Sequence, residues 1–169
     1  MRSKHRALAW LLIALVGSKA VVSADFCQDL ERVLESSHEG FAAVRGDLVS
    51  DLVDPLSARR VVWQCTQVLS GAKTCEVVWQ RQAYTYSSFW HKVDEAANVA
   101  TFDALSELLT GCGLARQESS KTGRSQWFTA QGKADLEVVL ARNARRVRLS
   151  FTAEGYPGPS SAPASEPTD

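Results

Sequence analysis

Two runs, Val61-Val62-Trp63-Gln64-Cys65-Thr66-Gln67-Val68 and Thr74-Cys75-Glu76-Val77-Val78-Trp79-Gln80-Arg81, decide the fold of this chain. Both are rich in β-branched and aromatic residues, and both alternate in polarity as half-buried strands do. The link between them, Leu69-Ser70-Gly71-Ala72-Lys73, holds a glycine suited to a reversal. The runs therefore form an antiparallel hairpin in which 61 faces 79, 63 faces 77 and 65 faces 75. A third run, Tyr84–His91, follows the tight Gln82-Ala83 link. Extending the register places Trp79 opposite Tyr86, Val77 opposite Ser88 and Cys75 opposite Trp90. One face of this sheet then carries Val61, Trp63, Cys65, Cys75, Val77, Trp79, Tyr84, Tyr86, Ser88 and Trp90. The other carries Val62, Gln64, Thr66, Glu76, Val78, Gln80, Thr85, Ser87 and Phe89 and is far more polar. One face meets a helix and the other meets water or a partner.

Working outward, residues 25–37 place Phe26, Leu30, Val33 and Leu34 on one helical stripe, with Cys27 beside it. Residues 94–112 form a longer amphipathic helix with Val99, Phe102, Leu105, Leu109 and Cys112 on one side and Asp103 and Glu107 opposite. Gly111 and Gly113 end it. Three more strand-like runs follow: 125–131, 134–141 with Leu136, Val138 and Leu140 inward, and 146–152 with Val147, Leu149 and Phe151 inward. Asn143-Ala144 forms the last turn. The expected fold is α+β: an antiparallel sheet of about six strands in α-β-β-β-α-β-β-β order with two helices on one face. Between residues 40 and 60 the pattern is weakest; Asp47–Val53 matches a short helix ended by Pro55.

The chain ends carry different information. Arg2, Lys4, His5 and Arg6 precede a ten-residue apolar run, Ala7–Val16, and Val22-Ser23-Ala24 supplies short residues for a signal peptidase. Ten residues rise only ~15 Å as a helix, too little for a ~30 Å hydrocarbon core. Residues 1–24 are thus expected to be a cleaved secretory signal, and the product a periplasmic or secreted protein with no membrane span. Residues 154–169 contain all but one of the five prolines and no apolar periodicity, the composition of a disordered tail. A single domain is expected over 25–153.

The four cysteines all lie beyond the signal, which in an exported chain implies two disulfides. Three pairings are open. The helical stripes aim Cys27 and Cys112 at one core, and the hairpin register sets Cys65 against Cys75, which favours these two bonds. No C-x-x-C occurs, so neither a redox motif nor a zinc site is signalled, and no metal or cofactor is expected.

The formal net charge of zero hides a segregation. Without residues 1–24 there are 15 basic residues against 19 acidic ones, a net of −4. Residues 25–54 hold eight acids and two bases; residues 116–148 hold eight bases and three acids. A dipolar surface can steer and orient a charged partner. The competing expectation is that the two regions neutralise each other within the fold, or that Arg148 pairs with Glu137 across the last hairpin. The basic cluster Arg142, Arg145, Arg146 and Arg148 is the candidate binding site. It is too small, in an exported chain, to indicate nucleic acid.

Catalytic sets are sparse. Beyond the signal only His38 and His91 could act as acid and base, and nothing in the sequence brings them together. His91, followed by Lys92, Asp94 and Glu95, is the best single candidate for a small secreted hydrolase. Asp94 and Glu95 also suit a helix N-terminus. Arg45-Gly46-Asp47 spells an adhesion tripeptide, although Gly46 also suits a turn.

Phe41-x-x-x-Arg45-Gly46, Gly71-Ala72-x-x-Cys75, Tyr86-x-Ser88-x-Trp90 and a helix ending at Cys112 together resemble a pattern in small secreted or periplasmic bacterial proteins with two disulfides. The resemblance covers residues 27–112 and implies no activity. Where those proteins often carry a Cys at the position of Ser88, here Cys65 takes the partner role. The repeated element order is also similar to small secreted inhibitor folds and to secretion-chaperone folds, an analogy that does not fix function. The function expected from these features is an exported, non-enzymatic binding protein (an inhibitor, immunity or envelope accessory protein) with a protein or cell-envelope partner.

Overall fold

The computed structural model describes residues 24–53, 59–91, 94–120, 122–133 and 135–159. All but the last residue of the expected signal segment, and the last ten residues of the chain, lie outside them.

Helix α1 (residues 24–36) buries Phe26, Leu30 and Val33, the spacing of one helical stripe. Two short 3-10 turns follow, Ser37–Glu39 and Ala42–Val44. Between them Gly40 has φ +59°, and a Cβ there would lie 2.6 Å from the Tyr84 ring, so both the conformation and the contact require glycine. Four strands then run β1 (Arg45–Leu52), β2 (Arg60–Cys65), β3 (Thr74–Gln80) and β4 (Ala83–His91). Helix α2 (Glu95–Gly111) starts at Asp94, whose carboxylate accepts from the Ala97 amide at 2.7 Å. Four more strands follow: β5 (Ala115–Ser119), β6 (Ser125–Thr129), β7 (Leu136–Arg142) and β8 (Arg146–Glu154).

All eight strands join one antiparallel sheet in the order β1-β2-β3-β4-β8-β7-β6-β5. The α+β class and the single antiparallel sheet are as expected, but there are eight strands rather than about six. The two additional strands are the sheet's edges. β1 replaces the short helix expected over 47–53, because its backbone completes a ladder with β2. β5 contains no large apolar residue and so has no alternation to detect.

The hairpin register of β2 and β3 is as expected, with Val61 opposite Trp79 and Trp63 opposite Val77. That of β3 and β4 differs by two residues: Trp79 faces Tyr84, Val77 faces Tyr86 and Cys75 faces Ser88. The turn is the cause. Arg81 and Gln82, at φ 53° and 64°, form a two-residue left-handed reversal that brings Gln80 directly opposite Ala83. A slip of two preserves the faces, so the division into an apolar and a polar face stands.

The apolar face, with Val77, Tyr86, Leu140, Leu149 and Phe151 fully buried, packs beneath the helices in a single core with Phe26, Leu30, Phe102 and Leu109. Disulfides Cys27–Cys112 and Cys65–Cys75 are both formed. The first ties α1 to the end of α2. The second bridges β2 and β3. Residues 154–159, assigned by composition to the tail, pack against this core. Tyr156 meets the Tyr84 ring edge-on and donates to the His38 carbonyl at 2.7 Å, and Gly158 lies against Trp79. Among the described residues no helix is long and apolar enough to cross a membrane.

Candidate functional site

Strand alternation sends every second residue of the sheet away from the helices. At the centre of that helix-free face, Ser87 faces Ser150 and Thr85 faces Thr152, across the β4–β8 ladder. The Thr85 and Thr152 hydroxyls are 3.1 Å apart, and Ser150 donates to the Val139 carbonyl. On the flanks stand longer side chains, both apolar and acidic: Val62 on β2, Val78 and Glu76 on β3, Val139 and Glu137 on β7 and Trp127 on β6, with Glu76 beside Ser87 and Glu137 beside Thr152. Short residues between longer ones make a shallow trough over the two central strands, and its centre is little exposed, Ser87 at 4% and Ser150 at 7%.

One end of the trough is cationic and aromatic. Phe89 pairs with Arg148 and His91 with Arg146. The Arg146 guanidinium lies 4.9 Å from the centroid of the Phe89 ring, a cation–π geometry that holds the arginine over the sheet. The His91 ring lies 6.5 Å from Phe89. The β7–β8 turn that supplies these arginines is held firmly. Asn143 Oδ1 accepts from the amides of Arg145 and Arg146, and the Asn98 side chain of α2 donates to the Ala144 carbonyl.

The four arginines expected to act together are divided by the fold. Arg146 and Arg148 stand on the helix-free face, and Arg145 is exposed at the turn. Arg142 pairs with Val147, on the opposite face, where it lies 5.8 Å from the Phe102 centroid and 3.8 Å from Glu95. It therefore anchors α2 to the sheet. Phe89 takes its place in the cluster, together with His91. Strand parity is the signal for this division: 142 is in phase with inward-facing 136, 138 and 140, whereas 146 and 148 are out of phase with inward-facing 147 and 149.

The charge segregation survives folding. The four ion pairs among the described residues are Arg32–Asp29, Arg59–Asp51, Arg116–Glu107 and Arg142–Glu95, and none joins 25–54 to 116–148. Arg148 does not meet Glu137, because Glu137 faces Thr152 and Arg148 faces Ala141. The adhesion tripeptide is not displayed: the Arg45 guanidinium lies against the adjacent rings of Trp63 and Tyr84, 5.1 Å from each centroid. Asp51 sits in β1 rather than on a helix, and the Arg59 guanidinium that hydrogen-bonds its carboxyl lowers its pKa.

The two histidines stand at opposite ends of the fold. The His38 ring lies 2.9 Å from the Lys133 ammonium group, beside Tyr156 and at the Glu154 end of the molecule. His91 lies at the other end of β4, opposite Arg146. Among the described residues no group of three His, Cys, Asp or Glu side chains is placed to hold a metal. In the comparisons with known proteins, no family model, no curated protein and no solved structure matches this chain.

Proposed function

We propose that this protein is an exported, non-enzymatic binding protein whose helix-free sheet face docks a protein partner carrying carboxylates, in an inhibitor, immunity or envelope accessory role. The observation that carries this reading is the trough over β4 and β8, lined by hydroxyls and closed at one end by Phe89, His91, Arg146 and Arg148. The half-buried Thr85 and Thr152 hydroxyls can donate to or accept from a partner, the half-buried Val78, Val139 and Trp127 offer apolar contact, and the arginines give orientation. Export is supported by the two disulfides and by the basic-then-apolar opening of the chain.

The test uses the exported chain immobilised in three forms: unaltered, Arg146→Glu/Arg148→Glu, and Arg116→Glu, which changes charge on the helix side. Envelope and secreted fractions of the source cell are passed over each, and retained proteins are quantified by mass spectrometry. The expected outcome is a partner retained by the first and third forms and reduced about tenfold or more by the second. In the complex, amide exchange should slow in β4 and β8. An identical retained set on all three forms overturns the reading. So does a hydrolytic activity of the protein that disappears in His91→Ala.

A further inference from the structure

We propose that the half-buried face of Trp79, flanked by Arg59, is a binding site for an extended proline-rich segment, and that Tyr156-Pro157-Gly158-Pro159 of this chain occupies it until a partner segment of the same chemistry displaces it. Trp79 stands opposite Val61 on β2 and Tyr84 on β4, in phase with buried Val77, and so lies on the helix side of the sheet. The trough over β4 and β8 is on the other side, so neither reading depends on the other.

The occupant shows what the site reads. The Trp79 indole Nε1 donates to the Tyr156 carbonyl at 3.4 Å, and Arg59 Nη1 donates to the Pro159 carbonyl at 3.3 Å. Arg59 is held for this by a two-point hydrogen bond to the Asp51 carboxylate, at 2.6 and 2.9 Å. Between the two donors Gly158 lies against the Trp79 ring, where a Cβ would come within 2.6 Å. The two accepting carbonyls are three residues apart, and three residues make one turn of a polyproline helix, which brings both carbonyls to one side. Pro157 and Pro159 preset such a backbone: each fixes its own φ and biases the residue before it towards extended conformations. The site therefore reads backbone carbonyls and a bare glycine rather than a side chain particular to this tail. Any x-Pro-Gly-Pro segment presents the same groups, and aromatic surfaces with fixed donors recognise proline-rich ligands in this way.

The anchoring favours exchange. Tyr156 is held independently: the Gly155 and Tyr156 amides donate to the Gln82 carbonyl at 3.0 and 3.1 Å, the Tyr156 hydroxyl donates to the His38 carbonyl at 2.7 Å, and its ring meets Tyr84 edge-on. Beyond it Pro157 and Gly158 are exposed, and residues 157–159 belong to no strand, so they can lift from Trp79 without opening the ladder. A tethered ligand competes at an effective concentration of about millimolar or higher, so the closed form binds a partner segment more weakly than an opened one.

The probe is a peptide with the sequence of residues 155–161, Gly-Tyr-Pro-Gly-Pro-Ser-Ser, titrated against the whole exported chain while NMR follows the Trp79 indole N–H. Gly158→Val in the chain should open the site, because the added side chain meets the Trp79 ring. Pro157→Ala/Pro159→Ala opens it by a second route, through the backbone. Both opened forms should take up the peptide saturably and about tenfold or more tighter than the unaltered chain. Trp79→Leu added to either should abolish uptake, and a peptide with both prolines replaced by alanine should not bind. Urea midpoints close to that of the unaltered chain show that the opened forms are folded. The proposal is overturned if neither opened form binds the peptide, if opened and unaltered chains bind it equally, or if the alanine peptide binds as well as the proline one. A dimer of the unaltered chain in analytical ultracentrifugation that dissociates with Gly158→Val overturns it too, and assigns the tail to exchange between copies.

Discussion

Arg142 and Arg148 lie on the same hairpin, yet reversing their charges should have different consequences. Arg142→Glu removes a side chain that is only 15% exposed and stands between Glu95 at 3.8 Å and the Phe102 ring at 5.8 Å. Glu95 is 63% exposed, so solvent screens the ion pair, and its loss costs ~0.5–1 kcal/mol. Loss of the cation–π contact adds ~0.5–1 kcal/mol. A new carboxylate facing Glu95 costs a further ~0.5 kcal/mol by like-charge repulsion. The total is about 2 kcal/mol, which with an ordinary dependence of stability on denaturant lowers the urea midpoint by ~1 M. Arg148→Glu changes an exposed residue opposite Ala141 and should stay within ~0.5 kcal/mol of the unaltered protein. Urea unfolding followed by tryptophan fluorescence, with disulfides intact, reads both. The exchanged pair Glu95→Arg/Arg142→Glu remakes the ion pair in reverse and should recover ~1 kcal/mol. Binding should sort the other way: Arg148→Glu weakens partner capture, and folded Arg142→Glu retains it. If Arg142→Glu costs no more than Arg148→Glu, or the exchange recovers nothing, then Arg142 does not anchor α2 and the division of the arginines by face is wrong.

The two disulfides should contribute unequally. Cys27–Cys112 spans 85 residues and Cys65–Cys75 spans 10, for which loop-closure entropy gives about 4.6 and about 2.7 kcal/mol. Cys27→Ala/Cys112→Ala should therefore be the more destabilised in urea, relative to Cys65→Val/Cys75→Val, where valine fills the buried sites; the reverse order would refute an entropic origin. Burial pushes the Tyr86 phenol up to about 12, against hydrogen bonding to Ser88 that lowers it. A raised phenol favours the folded state below its unfolded value near 10, and that contribution, roughly 3 kcal/mol for two pH units, is lost as the pH climbs towards 12. Tyr86→Phe should flatten the stability profile between pH 10 and 12 while costing ~1–2 kcal/mol at neutral pH, because the Gln67 carbonyl loses its donor. Equal alkaline slopes in the two proteins would show that another group governs the loss.

Much of the fold is legible in the sequence because it is written locally. Alternation in β2, β3, β4, β7 and β8 follows from one face packed beneath the helices and one turned away from them, and strand parity alone places Phe89, Arg146 and Arg148 on the second. β1 is not legible in this way. Its apolar residues, Leu48, Val49, Leu52 and Val53, recur with a helical spacing, and the strand exists because a long-range ladder with β2 outweighs that local pattern. The register slip between β3 and β4 has a similar origin. Arg81 and Gln82 adopt positive φ without the Asn or Gly that announces such a turn, so only the cross-strand pairing reveals it.

The ladder also bears on how a partner can sit. The strand order mirrors itself about the β4–β8 seam, each half being a helix followed by four strands, with the centre of the seam between Ser87 and Ser150. An exact two-fold there would give the trough identical ends. It has different ones: Phe89–Arg148 and His91–Arg146 on one side, Thr85–Thr152 and Ala83–Glu154 on the other. The backbone therefore offers two equivalent orientations, and the side chains distinguish them by charge. A partner presenting carboxylates at one end of its contact gains attraction in one orientation and meets Glu154 in the other. Discrimination of this kind depends on both an attractive and a repulsive element. Reversing only the attractive end, by Arg146→Glu/Arg148→Glu, makes both ends acidic and removes the preference together with the affinity. Adding Glu154→Lys to that pair restores one cationic end at the opposite side of the trough, so any affinity it recovers must come from a partner turned end for end.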